Sequence, residues 1–125
     1  MKIKKNLVLL GMMGVGKTTI GKMVAKKLKI NFFDIDKLVE KKNQMKIMEI
    51  FKIKGEVYFR KDEEFITLKY LDKKGALISL GGGAFINEKI RKKILSDCTS
   101  VWLNVGLEKL QERLKNNNKR PLIQN

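Results

Sequence analysis

The stretch that spans residues 11–18 reads Gly11-Met12-Met13-Gly14-Val15-Gly16-Lys17-Thr18. It fits G-x-x-x-x-G-K-[ST], a glycine-rich loop whose backbone N–H groups surround the phosphates of a nucleotide. An apolar run typical of a buried strand precedes it at residues 7–10, and a helical pattern follows over residues 19–28. The loop needs this context, because the N-terminus of the helix adds a partial positive charge. The sequence therefore predicts a site for ATP or GTP.

Two side chains of this loop have separate predicted roles. Lys17 would reach the β and γ phosphates, and the Thr18 hydroxyl would bind Mg²⁺. The alternative is a glycine-rich turn that matches the pattern by chance, which the flanking strand and helix disfavour. The nucleotide contacts predicted in this part of the chain are Gly14, Val15, Gly16, Lys17, Thr18 and Thr19.

Length and composition indicate one domain. The chain has 125 residues, of which 43% are hydrophobic, and this is enough to build a core. It has no apolar run of membrane-spanning length and no segment typical of a secretory signal. The lone cysteine, Cys98, excludes an internal disulfide and is expected to be a strand-edge or core thiol. We expect a cytoplasmic protein without a membrane partner.

The charge is strongly positive, with a formal net charge of +15. Of the 28 basic residues only four are arginines, and the lysines are spread over every predicted helix. Proteins that read nucleic acids favour arginine in a concentrated stripe. The pattern favours solvated helix faces and a general attraction for anionic metabolites, with no specific nucleic-acid partner. A basic nucleic-acid-associated protein is the alternative, and its affinity for oligonucleotides would depend strongly on salt.

Strand and helix patterns alternate along the chain, which predicts an α/β fold with a parallel sheet covered by helices on both faces. In the long helix, Phe65, Leu68 and Leu71 have helical spacing. The predicted strands cover residues 7–10, 32–36, 76–80 and 100–105. The predicted helices cover residues 19–28, 37–43, 47–53, 57–72, 87–95 and 107–115.

Polar residues and glycines cluster at the carboxyl ends of these strands, where ligands of such sheets bind. Asp34 and Asp36 alternate along the second strand, so one is expected to face the metal at Thr18 and the other an acceptor. Asp36 could instead cap the helix that begins at Lys37. Asp34 is the expected metal carboxylate.

Two further features point to an acceptor site. Gly81, Gly82 and Gly83 follow the third strand, so a small acceptor can lie against bare backbone there, although a flexible turn is the alternative. Arg60 is predicted in the first turn of its helix, where it opposes the helix dipole, and a carboxylate ligand would explain it. An ion pair with Glu63 or Glu64 is the other explanation.

Taken in order from residue 6 to residue 125, these patterns resemble shikimate kinases. The resemblance implies a three-layer P-loop kinase fold and transfer of the γ-phosphate of ATP, with Mg²⁺, to the 3-hydroxyl of shikimate, in the route to chorismate and aromatic amino acids. The residues that carry it are Gly11 to Thr19, Asp34-Ile35-Asp36, Phe51, Gly55-Glu56, Phe59-Arg60, Gly81-Gly82-Gly83 and Arg120-Pro121-Leu122.

By position, the resemblance assigns catalytic roles to Lys17, Asp36 and Arg120, with Asp36 as the base or orienter of the attacking hydroxyl. Asp34 would reach Mg²⁺ through water, and Thr18 would bind it directly. Arg113 would pack against adenine, and a lid over about residues 113–125 would bring Arg120 onto the phosphates. The acceptor segment covers about residues 34–61. The implied shikimate contacts are Asp36, Phe51, Phe59, Arg60, Gly81, Gly82 and Gly83.

Family members continue past the lid with a further helix, a fifth strand and a final helix. We therefore expect residues 1–125 to form one incomplete P-loop kinase domain with four of five strands, poorly stable and nearly inactive alone, and monomeric when complete. Two alternatives stay open. The chain could phosphorylate another small polyol or acid such as gluconate, or it could be a nucleotide-binding module without catalysis.

Overall fold

A computed structural model describes residues 5–11 and 17–103 of the chain. The predicted helix over residues 107–115 and the lid lie outside these residues. Within them, no helix combines the length and apolar character needed to cross a membrane. The elements are β1 (Asn6–Gly11), α1 (Lys17–Leu28), β2 (Phe32–Asp34), α2 (Ile35–Asn43), α3 (Ile47–Lys54), α4 (Glu56–Leu71), β3 (Leu77–Gly81), a 3₁₀ helix (Gly82–Ile86), α5 (Glu88–Asp97) and β4 (Cys98–Leu103).

The four strands form one sheet in the order β2-β3-β1-β4, and every neighbouring pair is parallel. Strand β1 is central, with Gly11 opposite both Gly81 of β3 and Leu103 of β4. The predicted α/β fold with a parallel sheet is confirmed. The four strands expected within the chain are present, and the fifth strand implied by the resemblance was expected beyond residue 125.

Helices cover both faces of the sheet because successive strand residues point to opposite sides. Val8 and Leu10 of β1 are fully buried in the main core, together with apolar side chains of α2, α3, α4 and α5. Leu9, between them, packs against Ile20 and Val24 of α1 on the other face. The three layers predicted from the sequence are therefore present.

The start of α2 differs from the prediction. Strand β2 ends at Asp34, whose side chain accepts a hydrogen bond from the Lys37 backbone N–H at 3.3 Å and so caps the helix. Asp36 consequently lies in the first turn of α2 rather than in a strand. The predicted alternation of Asp34 and Asp36 along one strand is wrong, and so is the alternative in which Asp36 is the cap.

The predicted position of Arg60 also needs correction. Helix α4 begins at Glu56, directly after Gly55, so Arg60 lies in its second turn and not in its first. Conflict with the helix dipole is weaker there, because the effect falls off beyond the first turn. The start of α5 agrees with the prediction to within one residue, and Asn87 caps this helix by accepting a hydrogen bond from the Ile90 N–H at 3.0 Å.

The inner face of α4 is more polar than its spacing of apolar residues indicates. Phe65 is 62% exposed, whereas Asp62, Glu63 and Thr67 are buried. Asp62 and Glu63 have hydrogen-bond partners on other side chains. The Thr67 hydroxyl is fully buried and has no hydrogen-bond partner among the described residues. Such a group costs free energy on folding, because it gives up its bonds to water.

Thr67→Val should therefore stabilise the fold. The substitution keeps the shape and branching of the side chain and removes the unpaired hydroxyl, for a gain of about 1 kcal/mol and roughly 3–6 °C in Tm. Thr67→Ser is the control, since it keeps the hydroxyl, loses a methyl group and should lower Tm. Thermal melts of the three proteins decide the point. A lower Tm for Thr67→Val would show that the hydroxyl has a partner.

Candidate active site

Three strand ends and the start of α1 converge at one edge of the sheet. Strands β1, β2 and β3 end at Gly11, Asp34 and Gly81, and α1 begins at Lys17. Gly14, Val15 and Gly16, which complete the predicted phosphate loop, lie outside the described residues. The described part still fixes the two ends of that loop, at Gly11 and Lys17.

The Lys17 ammonium lies over the end of β1. Its Nζ donates a hydrogen bond of 2.7 Å to the Gly11 carbonyl oxygen. Burial lowers the pKa of Lys17, while the negative charges of Asp36 and Asp34 act in the opposite direction. Partial loss of water strengthens the attraction of this cation for an incoming anion, while the two carboxylates weaken that attraction and keep the lysine charged.

Thr18 and Asp34 form a pair of oxygen ligands beside this lysine. The Thr18 Oγ1 donates to Asp34 Oδ2 at 3.0 Å, while the other carboxylate oxygen caps α2. No group of three or more His, Cys, Asp or Glu side chains suited to a metal occurs among residues 5–11 and 17–103. A hydroxyl and one carboxylate fit Mg²⁺, which uses few protein ligands and completes its shell with water and phosphate oxygens.

Asp36 is the carboxylate at the centre of the site. It is half-buried in the first turn of α2, and its Oδ2 would lie 3.6 Å from a Cβ at Gly81. Burial, together with the negative charge of Asp34, raises the pKa of Asp36, and the positive charges of Lys17 and Arg60 oppose this rise. A cation from the start of α1 and a cation from α4 thus both act on Asp36.

Arg60 reaches back from α4 toward the third strand end. Its Nη1 donates to Glu63 Oε1 at 2.9 Å, and Glu63 is 4% exposed. A Cβ at Gly83 would lie only 2.8 Å from that same Nη1, so the guanidinium occupies the space that a side chain at Gly83 would fill. Burial raises the pKa of Glu63, while the hydrogen bond and charge of Arg60 oppose this.

Two aromatic rings line the site beside Arg60. The ring centroids of Phe51 and Phe59 lie 4.7 Å apart, and the Arg60 guanidinium lies 5.3 Å from the Phe59 centroid and 6.0 Å from that of Phe51. Phe59 is buried and Phe51 is half-buried. The arrangement places a guanidinium beside an apolar wall, a combination that can bind a small organic anion.

Comparison with known proteins identifies the relatives of the chain. The family model for shikimate kinase matches residues 13–125. The chain belongs to the shikimate kinase family. A shikimate kinase of Bacillus licheniformis is 50% identical over 111 residues, which are 88% of this chain and 63% of that protein. One from Bartonella quintana is 44% identical over 121 residues, 97% of this chain and 58% of that protein.

Solved structures of shikimate kinases share the fold. A shikimate kinase from Acinetobacter baumannii, in complex with shikimate, superposes with a TM-score of 0.81 at 32% identity, covering 93% of this chain and 65% of that one. A gluconokinase from Sinorhizobium meliloti gives a TM-score of 0.53 at 14% identity, which is a likeness of fold alone. The chain spans about three fifths of the length of the curated relatives named above.

Most of the site residues predicted for this shikimate kinase family member lie at one edge of its sheet. Thr19 is exposed on α1, and Gly82 starts the 3₁₀ helix, so the glycine triplet continues in regular structure and not in a flexible turn. Arg113 and Arg120 lie outside the described residues. Glu63 had only the role of a surface ion partner in the alternative interpretation of Arg60, yet it is buried. Residues brought together are Lys17, Thr18, Asp34, Asp36, Phe51, Phe59, Arg60, Gly81 and Gly83.

Asp36→Asn should stabilise the fold at neutral pH. The pKa of Asp36 is higher in the folded chain than in the unfolded one, so the ionised carboxylate costs stability once the pH exceeds the unfolded value of about 4. The amide removes that cost while keeping the shape. Urea unfolding at pH 7 should give a higher midpoint for the variant, and the difference should shrink as the pH approaches 4. A lower midpoint at pH 7 would contradict the assigned direction.

Proposed function

We propose that this chain transfers the γ-phosphate of ATP to the 3-hydroxyl of shikimate. The observation that carries the proposal is the arrangement at the edge of the sheet, where Asp36 lies beside Gly81, the Arg60 guanidinium beside Gly83 and Lys17 on the Gly11 carbonyl oxygen. A phosphoryl donor held by Lys17 and an anionic acceptor held by Arg60 would meet at this carboxylate. The names of the relatives supply the identity of the acceptor.

The charge and shape of shikimate match the residues proposed to bind the acceptor. Shikimate is a ring-shaped acid, so its carboxylate suits the Arg60 guanidinium and its ring suits the wall of Phe51 and Phe59. Glu63 holds the guanidinium from the inside through one Nη1 bond. Gly81, Gly82 and Gly83 would let the acceptor approach the backbone. Asp36 would then accept a hydrogen bond from the hydroxyl that attacks.

The chemistry needs a base and charge neutralisation. Because its pKa is raised, Asp36 is a stronger base than an ordinary aspartate and can receive the proton of the hydroxyl. Lys17 would leave the Gly11 carbonyl for the phosphates and neutralise charge that develops on the transferred group. Mg²⁺ held by Thr18 and Asp34 would shield the phosphate oxygens from each other. Arg113 at adenine and Arg120 in a lid stay predictions, as do a cytoplasmic location and a monomeric state.

The test measures release of ADP from ATP and Mg²⁺ with shikimate, gluconate or a nucleoside monophosphate as acceptor. It uses the 125-residue chain and a chimera in which this chain replaces the matching 63% of the Bacillus licheniformis relative. Shikimate alone should accelerate ADP release. In the more active of the two proteins, Lys17→Met should lower turnover by orders of magnitude, about 10²-fold or more.

Lys22→Met is the matched control, because Lys22 is an exposed lysine on the same helix α1. It should retain the turnover of the parent protein. The proposal fails if gluconate or the nucleotide replaces shikimate as the preferred acceptor in the chimera. It also fails if Lys17→Met and Lys22→Met have equal turnover.

Substitutions at Asp36 and Arg60 should separate chemistry from acceptor binding. Asp36→Asn removes the proposed base, so transfer should be lost while the Kd for ADP, measured by calorimetry, stays within about twofold. Arg60→Lys keeps the charge but loses the forked donor, so the KM for shikimate should rise about tenfold or more. A loss of ADP affinity with unchanged shikimate affinity in either variant would show that the two subsites are exchanged.

A further inference from the structure

A side-chain network joins the three helices that carry the proposed acceptor site. The buried Asp62 of α4 accepts hydrogen bonds from Lys42 Nζ at 2.6 Å and from Asn43 Nδ2 at 2.7 Å, both in the last turn of α2. The Asn43 Oδ1 accepts in turn from the Tyr58 hydroxyl at 2.7 Å, and Lys54 at the end of α3 donates to that hydroxyl at 3.3 Å. We call this set the α2–α4 clamp.

The clamp is held by an ionised carboxylate. Burial is the largest single influence on the pKa of Asp62 and raises it, but the hydrogen bonds from Lys42 and Asn43 and the charges of Lys42 and Lys54 together lower it below its usual value. Both carboxylate oxygens are used, one by each partner. Asn43 is itself fixed, because its Nδ2 also donates to the Val39 carbonyl oxygen at 2.9 Å. The last turn of α2 therefore has a defined position against α4.

The two clamped helices carry opposite sides of the acceptor site. Helix α2 holds Asp36 in its first turn, and α4 holds Arg60 two residues before Asp62 and its partner Glu63 directly after Asp62. The N-terminal end of α2 is fastened separately, by the Asp34 cap. A nine-residue helix held at both ends is a rigid rod about 13 Å long. Its fastening to α4 thus limits how far Asp36 can move relative to Arg60.

We propose that Asp62 is a positioning residue, which sets the separation of Asp36 and Arg60 by clamping the last turn of α2 to α4. A role of Asp62 in catalysis rests on the proposed function. Its effect on the position of Arg60 does not rest on it. Asp62 touches neither Asp36 nor Arg60 in the hydrogen bonds described here, so its effect passes through the two helices.

A second ion pair of the same length, with a more exposed carboxylate, provides the control. Lys93 Nζ of α5 lies 2.6 Å from Asp72 Oδ1, at the C-terminal end of α4 and away from the acceptor site. Loss of this pair also removes a tie between α4 and a neighbouring helix. If the clamp merely stabilised the fold, variants of Asp62 and Asp72 would differ only in Tm.

The experiment compares Lys42→Met, Asp62→Ala, Asp62→Glu and Asp72→Ala with their parent protein. Lys42→Met removes the ion pair by changing its half-exposed partner. This variant therefore tests the clamp even if Asp62→Ala does not fold. The first readout is the NMR signal of the Arg60 Nε–H in the acceptor-free 125-residue chain, assigned through Arg60→Lys. The second readout is the KM for shikimate and the KM for ATP. Both are measured in whichever of the 125-residue chain and the chimera is active.

Lys42→Met and Asp62→Ala should shift the Arg60 signal and raise the KM for shikimate about five- to tenfold, with the KM for ATP within about twofold. Asp62→Glu should keep the Arg60 signal and the KM for shikimate close to those of the parent protein. Asp72→Ala should change neither the signal nor that KM. An unmoved Arg60 signal, an equal rise in both KM values or an equal effect of Asp72→Ala overturns the inference. A shifted signal in the chain, together with a chimera that shows no shikimate turnover, supports the clamp and counts against the proposed function alone.

Discussion

The parallel pairing of β1 with β3 is the constraint on which the rest of the site depends. It sets Gly11 opposite Gly81, and the pairing of β3 with β2 sets Asp34 opposite Ser79, so three strand ends reach one edge together. Each chain segment that leaves this edge carries a functional group within a few residues. A shift of one residue in either pairing would turn the apolar residues of a strand to the wrong face. The buried core thus enforces the geometry of the polar edge.

Several ionised groups of the site lower the stability of the fold. Burial lowers the pKa of Lys17 and raises the pKa values of Asp36 and Glu63, so each ionised group is held under unfavourable conditions. The free energy for this comes from the main core, where Val8, Leu10 and Ile78 are fully buried. Functional sites commonly show such local conflict, because reactive groups need environments that stability alone would not select.

The sequence was sufficient to predict the sheet, its helices and most of the residues at its edge, because apolar runs and glycines carry local signals. It was insufficient where two local preferences compete. Residues 32–36 read as a continuous strand, yet the Asp34 side chain bonds to the Lys37 N–H and starts the helix two residues early. The sequence also did not predict that polar side chains of α4 are buried. Asp62 is reached by Lys42 from another helix, which spacing along α4 does not reveal, whereas the Arg60–Glu63 pair lies within α4 and only the burial of Glu63 was not predicted.

The absence of a side chain at Gly83 determines where the Arg60 guanidinium can lie. The Arg60 guanidinium lies where a side chain of that residue would be, with a Cβ only 2.8 Å from Nη1 and 3.0 Å from Nη2. A single codon change that adds even a methyl group there would displace the arginine without altering it. If Arg60 holds an anionic acceptor, as proposed, that contact can be lost without any change at the arginine itself. The size of a residue that makes no ion pair of its own would then limit the choice of acceptor as much as the charge of Arg60 does.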